Sequence, residues 1–148
     1  MELIIFIGIP ATGKSSYYKK YFYDSHIRIN LDMLKTRHRE ALLIKACFYA
    51  KQALVVDNNN LTKELRKVYI DIAKGNKCSV KGYYFKSSIK SSLQFNETRE
   101  NGKVPEVAIC SAHKKLELPK IEEGFDELYY VSHDKEGNFE TEIYDNEI

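Results

Sequence analysis

Residues 8–15 read Gly8-Ile9-Pro10-Ala11-Thr12-Gly13-Lys14-Ser15, which fits the pattern G-x-x-x-x-G-K-[ST]. These residue types can cradle a polyphosphate. Backbone N–H groups in a glycine-bearing turn converge on an anion, and the start of a following helix adds partial positive charge. Gly8 and Gly13 permit close approaches that a Cβ obstructs. Pro10, Ala11, Thr12, Gly13, Lys14, Ser15 and Ser16 are the expected phosphate binders. Lys14 would reach the β- and γ-phosphates of ATP or another nucleoside triphosphate, and the Ser15 hydroxyl would ligate Mg²⁺. The pattern names a nucleotide and leaves the reaction open.

Two carboxylates could complete a reaction centre. Asp32 follows a short apolar stretch at residues 26–30. A carboxylate there could accept the proton of an attacking hydroxyl, hold the water shell of a metal, or simply cap the helix that begins near Met33. Asp57 ends the apolar run Ala53-Leu54-Val55-Val56 and opens Asp57-Asn58-Asn59-Asn60. A strand ending in Asp can support Mg²⁺, while Asx-rich turns also form for purely local reasons. Lys35, Arg37, His38 and Arg39 crowd a helix start, where cations oppose the macrodipole unless an anion compensates them. A phosphate is one such anion; a solvated cluster is the alternative. Arg99 lies in a polar stretch within residues 95–104. That stretch is a candidate lid whose arginine could neutralise a transferring phosphoryl group, or an exposed loop.

The elements that must position these residues follow from apolar spacing. Leu3-Ile4-Ile5-Phe6-Ile7 reads as a strand buried on both faces, and residues 16–22 continue as a helix. Further strands are expected at residues 26–30, 53–56, 78–85 and 125–131, with helices beginning at Met33, over 36–52, and near 63–74, 87–98 and 105–115. Leu65, Val68, Tyr69, Ile72 and Ala73 are the expected inner face of the 63–74 helix, and Ile89, Leu93 and Phe95 that of the 87–98 helix. Lys135-Glu136-Gly137-Asn138 is a turn before an alternating edge strand at 139–144. This order predicts a three-layer α/β fold: a mainly parallel five-stranded sheet flanked by helices, plus a C-terminal β-hairpin extension. A single domain over 1–148 is expected, with its core at 1–131 and a hairpin and tail at 132–148.

Composition narrows the class. Hydrophobic residues make up 43% and charged residues 30% of 148 residues, which favours a folded globular chain over a disordered one. Gly8 and Pro10 interrupt the first apolar run after five residues, and no secretory leader pattern precedes it. No membrane partner and a cytoplasmic location are the resulting expectations. Cys47, Cys78 and Cys110 form no metal pair. The net charge of +2 hides an asymmetry: residues 1–116 carry 21 Lys/Arg and 10 Asp/Glu, and residues 117–148 carry 2 and 11. A basic body suits a polyanion or is a solvated lysine surface.

The ordered motifs resemble the polynucleotide 5′-hydroxyl kinases. Gly8-x-Pro10-x-x-Gly13-Lys14-Ser15 is similar to their loop, and Asp32-x-Leu34-x-Thr36-Arg37 to their acceptor segment. Asp57-Asn58-Asn59-Asn60 resembles a D-N-T-N run. Residues Val104 to Ile109 and Glu122 to Glu127 resemble two later segments. The likeness runs from about residue 3 to 131, as a kinase module without phosphatase or ligase domains. It implies transfer of the γ-phosphate of ATP, with Mg²⁺, to a 5′-hydroxyl end of DNA or RNA. By position, it implies that Asp32 is the general base and that Lys35, Arg37 and Asn59 accompany it in holding the acceptor. Asp57 supports the metal or orients the acceptor, and Arg99 is the lid arginine. The lid departs from the family pattern, because Phe95 precedes Asn96 where an Arg is expected. A small-molecule acceptor and a non-kinase nucleotide switch are the other readings of the same loop.

Overall fold

The computed structural model describes residues 1–145. The last three residues of the expected 132–148 hairpin and tail lie outside this range. Leu3 to Ile7 are fully buried in the central strand β1 (Glu2–Ile7). Alternate residues serve opposite faces, as the two-residue period of a strand requires. Leu3, Ile5 and Ile7 pack with Leu54, Val56, Ile44, Tyr69 and Ile70, whereas Ile4 and Phe6 pack with Val55, Tyr17, Tyr18 and Phe22. Two helical layers therefore sandwich one sheet. Helix α1 (Lys14–Tyr21) lies on one side, and α3 (Arg37–Ala50) and α4 (Lys63–Gly75) on the other.

The sheet order is β2-β3-β1-β4-β5-β6. Strands β2 (Ile27–Ile29), β3 (Leu54–Val56), β1, β4 (Ser79–Phe85) and β5 (Glu127–His133) run parallel. Strand β6 (Phe139–Ile143) returns antiparallel to β5. The sheet thus has six strands rather than five plus an appendage. The reason is local: the Asp134 carboxylate accepts from the N–H groups of Glu136 and Asn138 at 2.9 and 2.8 Å. That turn folds β6 back in register, Tyr129 opposite Ile143 and His133 opposite Phe139. Glu140 and Glu142 are exposed on this edge, where charge discourages sheet addition. No helix among the described residues is long and apolar enough to cross a membrane.

Two inner faces differ from the periodicity. On α4 the buried residues are Arg66, Tyr69, Ile70 and Ala73, while Leu65 and Val68 are exposed. Arg66 is fully buried and turns the helix. Its guanidinium donates to both Glu123 carboxylate oxygens at 2.8 and 3.1 Å and to the Asn60 carbonyl at 2.9 Å. On α5 (Ile89–Glu97), Ser92 and Asn96 are the buried pair. The Asn96 amide clamps Val104, donating to its carbonyl at 2.8 Å and accepting from its N–H at 3.0 Å. Leu93 and Phe95 pack only partly, against Ile9, Ala11 and the inner residues of α6 (Glu106–Lys115).

Breaking the buried Arg66–Glu123 pair strands a charge. Glu123→Ala is expected to lower unfolding stability by about 3 kcal/mol or more, read as a shift of the urea midpoint at constant slope. A midpoint within experimental error of the unaltered chain removes this pair from the account of the fold.

Candidate active site

The loop after β1 is held from both neighbouring strands. The Gly8 N–H donates to the Asn59 carbonyl at 3.0 Å. The Ile9 N–H donates to Ser87 Oγ at 3.1 Å, just beyond β4. Ala11 and Gly13 take left-handed backbone, φ +62° and +91°, and Gly13 forms the N-cap of α1. A Cβ on Gly13 would lie 3.1 Å from the Phe139 ring and 3.3 Å from His133 Nε2. The β5–β6 hairpin therefore packs on the loop, a contact that the sequence reading did not anticipate.

Lys14 is buried beneath this loop. Its ammonium donates to the carbonyls of Gly8 and Ile9 at 3.0 and 2.7 Å. Burial pulls its pKa from the usual 10.5 down to about 7, with Asp57 opposing the drop and Arg99 adding to it. The ammonium is a charge held in a poorly solvating place, ready for an anion.

Asp57, only 2% exposed, gathers the next set of contacts. Its Oδ2 accepts from Ser15 Oγ at 3.0 Å and from Arg28 Nε at 2.8 Å, and Arg28 Nη2 donates to Ser15 Oγ at 3.0 Å. The Asn30 side chain donates to the Asp57 carbonyl at 2.7 Å. A hydroxyl and a carboxylate at this separation suit Mg²⁺, a hard cation that takes few protein oxygens and completes its shell with phosphate and water. Ser15 and Asp57 are therefore the residues that would hold it.

The segment after β2 is built as a separate wall. Asn30, not Asp32, caps α2 (Leu31–Leu34), accepting from the Met33 N–H at 2.9 Å. Capping is thus excluded as the job of Asp32, whose exposed carboxylate sits in the first turn and faces the cavity. The anion that compensates Arg37 is also internal. Glu40, buried one turn into α3, accepts from Arg37 Nη1 at 3.1 Å and from the Tyr69 hydroxyl at 2.8 Å. Burial, then the bond to Glu40, raises the Tyr69 pKa to about 12, so the phenol stays a donor. Asn58 joins the halves: its Oδ1 accepts from the Leu31 N–H at 2.8 Å and its amide donates to Glu40 at 3.2 Å.

One cavity of about 420 Å³ brings most of the candidates together. Pro10, Ala11, Thr12, Lys14 and Ser15 line its loop side. Asp32, Arg37, Asp57 and Asn59 line it as well, Asp57 bonded to Ser15, and Arg99 and Gly102 join from the 98–105 loop. Arg99 is propped there by its bond to the Gly102 carbonyl at 3.0 Å and by the Phe95 ring, 5.3 Å from the guanidinium. Three candidates sit elsewhere. Lys35 is exposed at the C-cap of α2 and is not part of this lining. Ser16 opens on a second cavity of about 530 Å³, with Thr12, Ser92, Phe95, His133 and Phe139. Gly13 is buried under the hairpin.

Several contributors were missed in sequence. Arg28 alternates with Ile27 and Ile29 on β2, and that alternation was the available signal that it points to the other face. Leu65, exposed on α4, lines the first cavity together with Leu61 and Val104. Glu40 did carry a local signal, its i,i+3 spacing from Arg37, whereas His133 and Phe139 carried none, because Gly13 lies more than a hundred residues away.

No family model matches the chain. It is 31% identical over 132 residues to the bifunctional polynucleotide phosphatase/kinase of Schizosaccharomyces pombe, covering 84% of this chain and 32% of that one. It is 28% identical over 139 residues to a putative bifunctional polynucleotide phosphatase/kinase of Acanthamoeba polyphaga mimivirus, covering 88% and 33%. The chain spans about a third of the length of the curated relatives it matches. A gluconokinase from Sinorhizobium meliloti 1021 shares the fold, with TM-score 0.65, 16% identity, and 88% and 82% of the two chains covered. With the loop, the β3 aspartate and the α2–α3 wall joined in one cavity, these likenesses place the chain in the polynucleotide kinase family of P-loop phosphotransferases, as its kinase module.

Proposed function

We propose that this chain transfers the γ-phosphoryl group of ATP to the 5′-hydroxyl end of a DNA or RNA strand. The observation that carries the reading is the shared cavity: Lys14, Ser15 and Asp57, the residues assigned to the donor, line it together with Asp32 and Arg37. A small-molecule acceptor needs the same loop and base. The polymer reading draws on the relatives' names, on the basic body of residues 1–116, and on the exposed guanidinium of Arg37.

The roles follow from position. Asp32 orients the 5′-hydroxyl and accepts its proton as the bond to phosphorus forms. Arg37, steadied on one edge by Glu40 and Tyr69, offers its remaining donors to the phosphodiester next to that nucleotide. Lys14 exchanges loop carbonyls for phosphate oxygens. Arg99 closes from the 98–105 loop over the donor and stabilises charge on the transferred group. Ser15 and Asp57 would hold Mg²⁺, which would supply further charge neutralisation at the phosphates. The second cavity, beside Ser16, takes the nucleoside half of the donor. Ser92 Oγ, buried there without a hydrogen-bond partner, suits a polar base edge.

Transfer of labelled phosphate from ATP to oligonucleotides tests the acceptor. Asp32→Asn is expected to lower kcat by about 10²–10⁴-fold. Arg37→Ala should mainly raise KM for the strand and flatten its salt dependence. Efficient phosphorylation of a small metabolite, with 5′-hydroxyl strands ignored, refutes the polymer acceptor and leaves the donor half standing.

Lys14 adds a pH signature. Its pKa is near 7 in the free protein, and bound phosphates favour the ammonium, so binding takes up a proton above pH 7. Affinity for ADP is then expected to fall as pH rises from about 7.5 to 9, approaching tenfold per unit. Calorimetry in buffers of differing ionisation heat measures the uptake, and none at pH 8 contradicts a neutral resting lysine.

A further inference from the structure

We propose that Arg28 makes divalent-metal binding at Ser15 and Asp57 conditional on the nucleotide, so that the cation loads as a metal–nucleotide complex. This rests on the reading that the site takes a metal-bound nucleotide. It concerns a residue that the assigned roles above do not use.

Arg28 lies in the middle of β2, opposite Val55 and on the sheet face covered by α1. From there it reaches both oxygen groups that suit the cation. Its Nε is 2.8 Å from Asp57 Oδ2 and its Nη2 is 3.0 Å from Ser15 Oγ. The hydroxyl proton of Ser15 points at the same Oδ2, at 3.0 Å. A serine oxygen has two lone pairs. Arg28 takes one, and a single one is left for a cation.

The charge count leads to the same place. Asp57 and Arg28 form an ion pair with side chains 2% and 27% exposed, so the pair is close to neutral. Among the described residues no group of three or more His, Cys, Asp or Glu could hold a metal. A divalent cation arriving alone meets one hydroxyl and a carboxylate whose charge is paired with a guanidinium and whose Oδ2 is already engaged. One arriving with a nucleotide brings its own anionic oxygens, and the same Arg28 charge then favours the complex. Arg28 acts through Asp57 and Ser15 and is a positioning residue.

The test titrates Mn²⁺ against the full chain, with and without ADP, reading free Mn²⁺ by electron paramagnetic resonance. The unaltered chain is expected to bind Mn²⁺ weakly alone and well with ADP. Arg28→Met should tighten nucleotide-free Mn²⁺ binding about tenfold or more, since a cation a few ångströms from the metal is removed. Asp57→Asn in the same background should erase the gain, which locates it at this site. Arg28→Lys, which keeps the charge, should gain little. Intact Mn²⁺–ADP binding with no gain in a natively folded Arg28→Met overturns the proposal alone. If that variant does not fold, the unaltered chain decides: tight nucleotide-free Mn²⁺ binding, lost in Asp57→Asn, also overturns it. Failure of the unaltered chain to bind Mn²⁺–ADP at all overturns the phosphotransfer reading and this proposal together.

Discussion

A carboxylate buried at the end of a central strand must be compensated, and Asp57 is that carboxylate. Its side chain is 2% exposed, and an unpaired charge in such a place is costly. The compensation comes from two elements: Ser15 brings the start of α1 and Arg28 brings β2. Asn30 separately donates to the backbone carbonyl of Asp57 and caps α2. One charge thus fixes the distance between the phosphate loop and the wall that carries Asp32. The strand order helps, because β3 lies between β1 and β2. The groups that follow β1 and β2 meet over the end of β3.

The three asparagines after Asp57 have separate structural jobs. Asn58 ties α2 to the Glu40–Tyr69 pair. The Asn59 carbonyl holds the Gly8 N–H. Asn60, left-handed at φ +49°, donates to the Phe6 carbonyl at 2.7 Å and accepts from the buried Arg66. Glu123 then anchors Arg66 from beyond α6. A late acidic segment with no cavity contact therefore supports the turn that positions the site. Two ion pairs, at Asp57 and at Glu123, flank the same turn from opposite sides.

The expected sheet and the phosphate loop were legible because they depend on local facts. A continuous apolar run marks a strand covered on both faces, and the glycines and lysine of the loop have few structural alternatives at that spacing. Thr36 and Thr62 as helix caps are likewise local: each accepts from the N–H three residues on. Periodicity misjudged α4 because apolar spacing reports average burial and carries no information about a distant carboxylate. Arg66 is polar by type and core by partnership.

Sequence by itself determined the strand–helix alternation, the G-x-x-x-x-G-K-[ST] loop, and Asp32 and Asp57 as separate candidates. The tertiary structure decided that Arg28 belongs beside that loop and that Tyr69 of α4 meets the Arg37–Glu40 pair. It also decided that the hairpin residues His133 and Phe139 rest on Gly13. The division has one physical cause. Backbone propensity and hydrophobic spacing act between neighbours in the chain, whereas ion pairs and ring contacts depend on which strands become neighbours in the sheet. In this fold β1 lies between β3 and β4, so strands that are neighbours in the sheet are separated by whole helices in the chain.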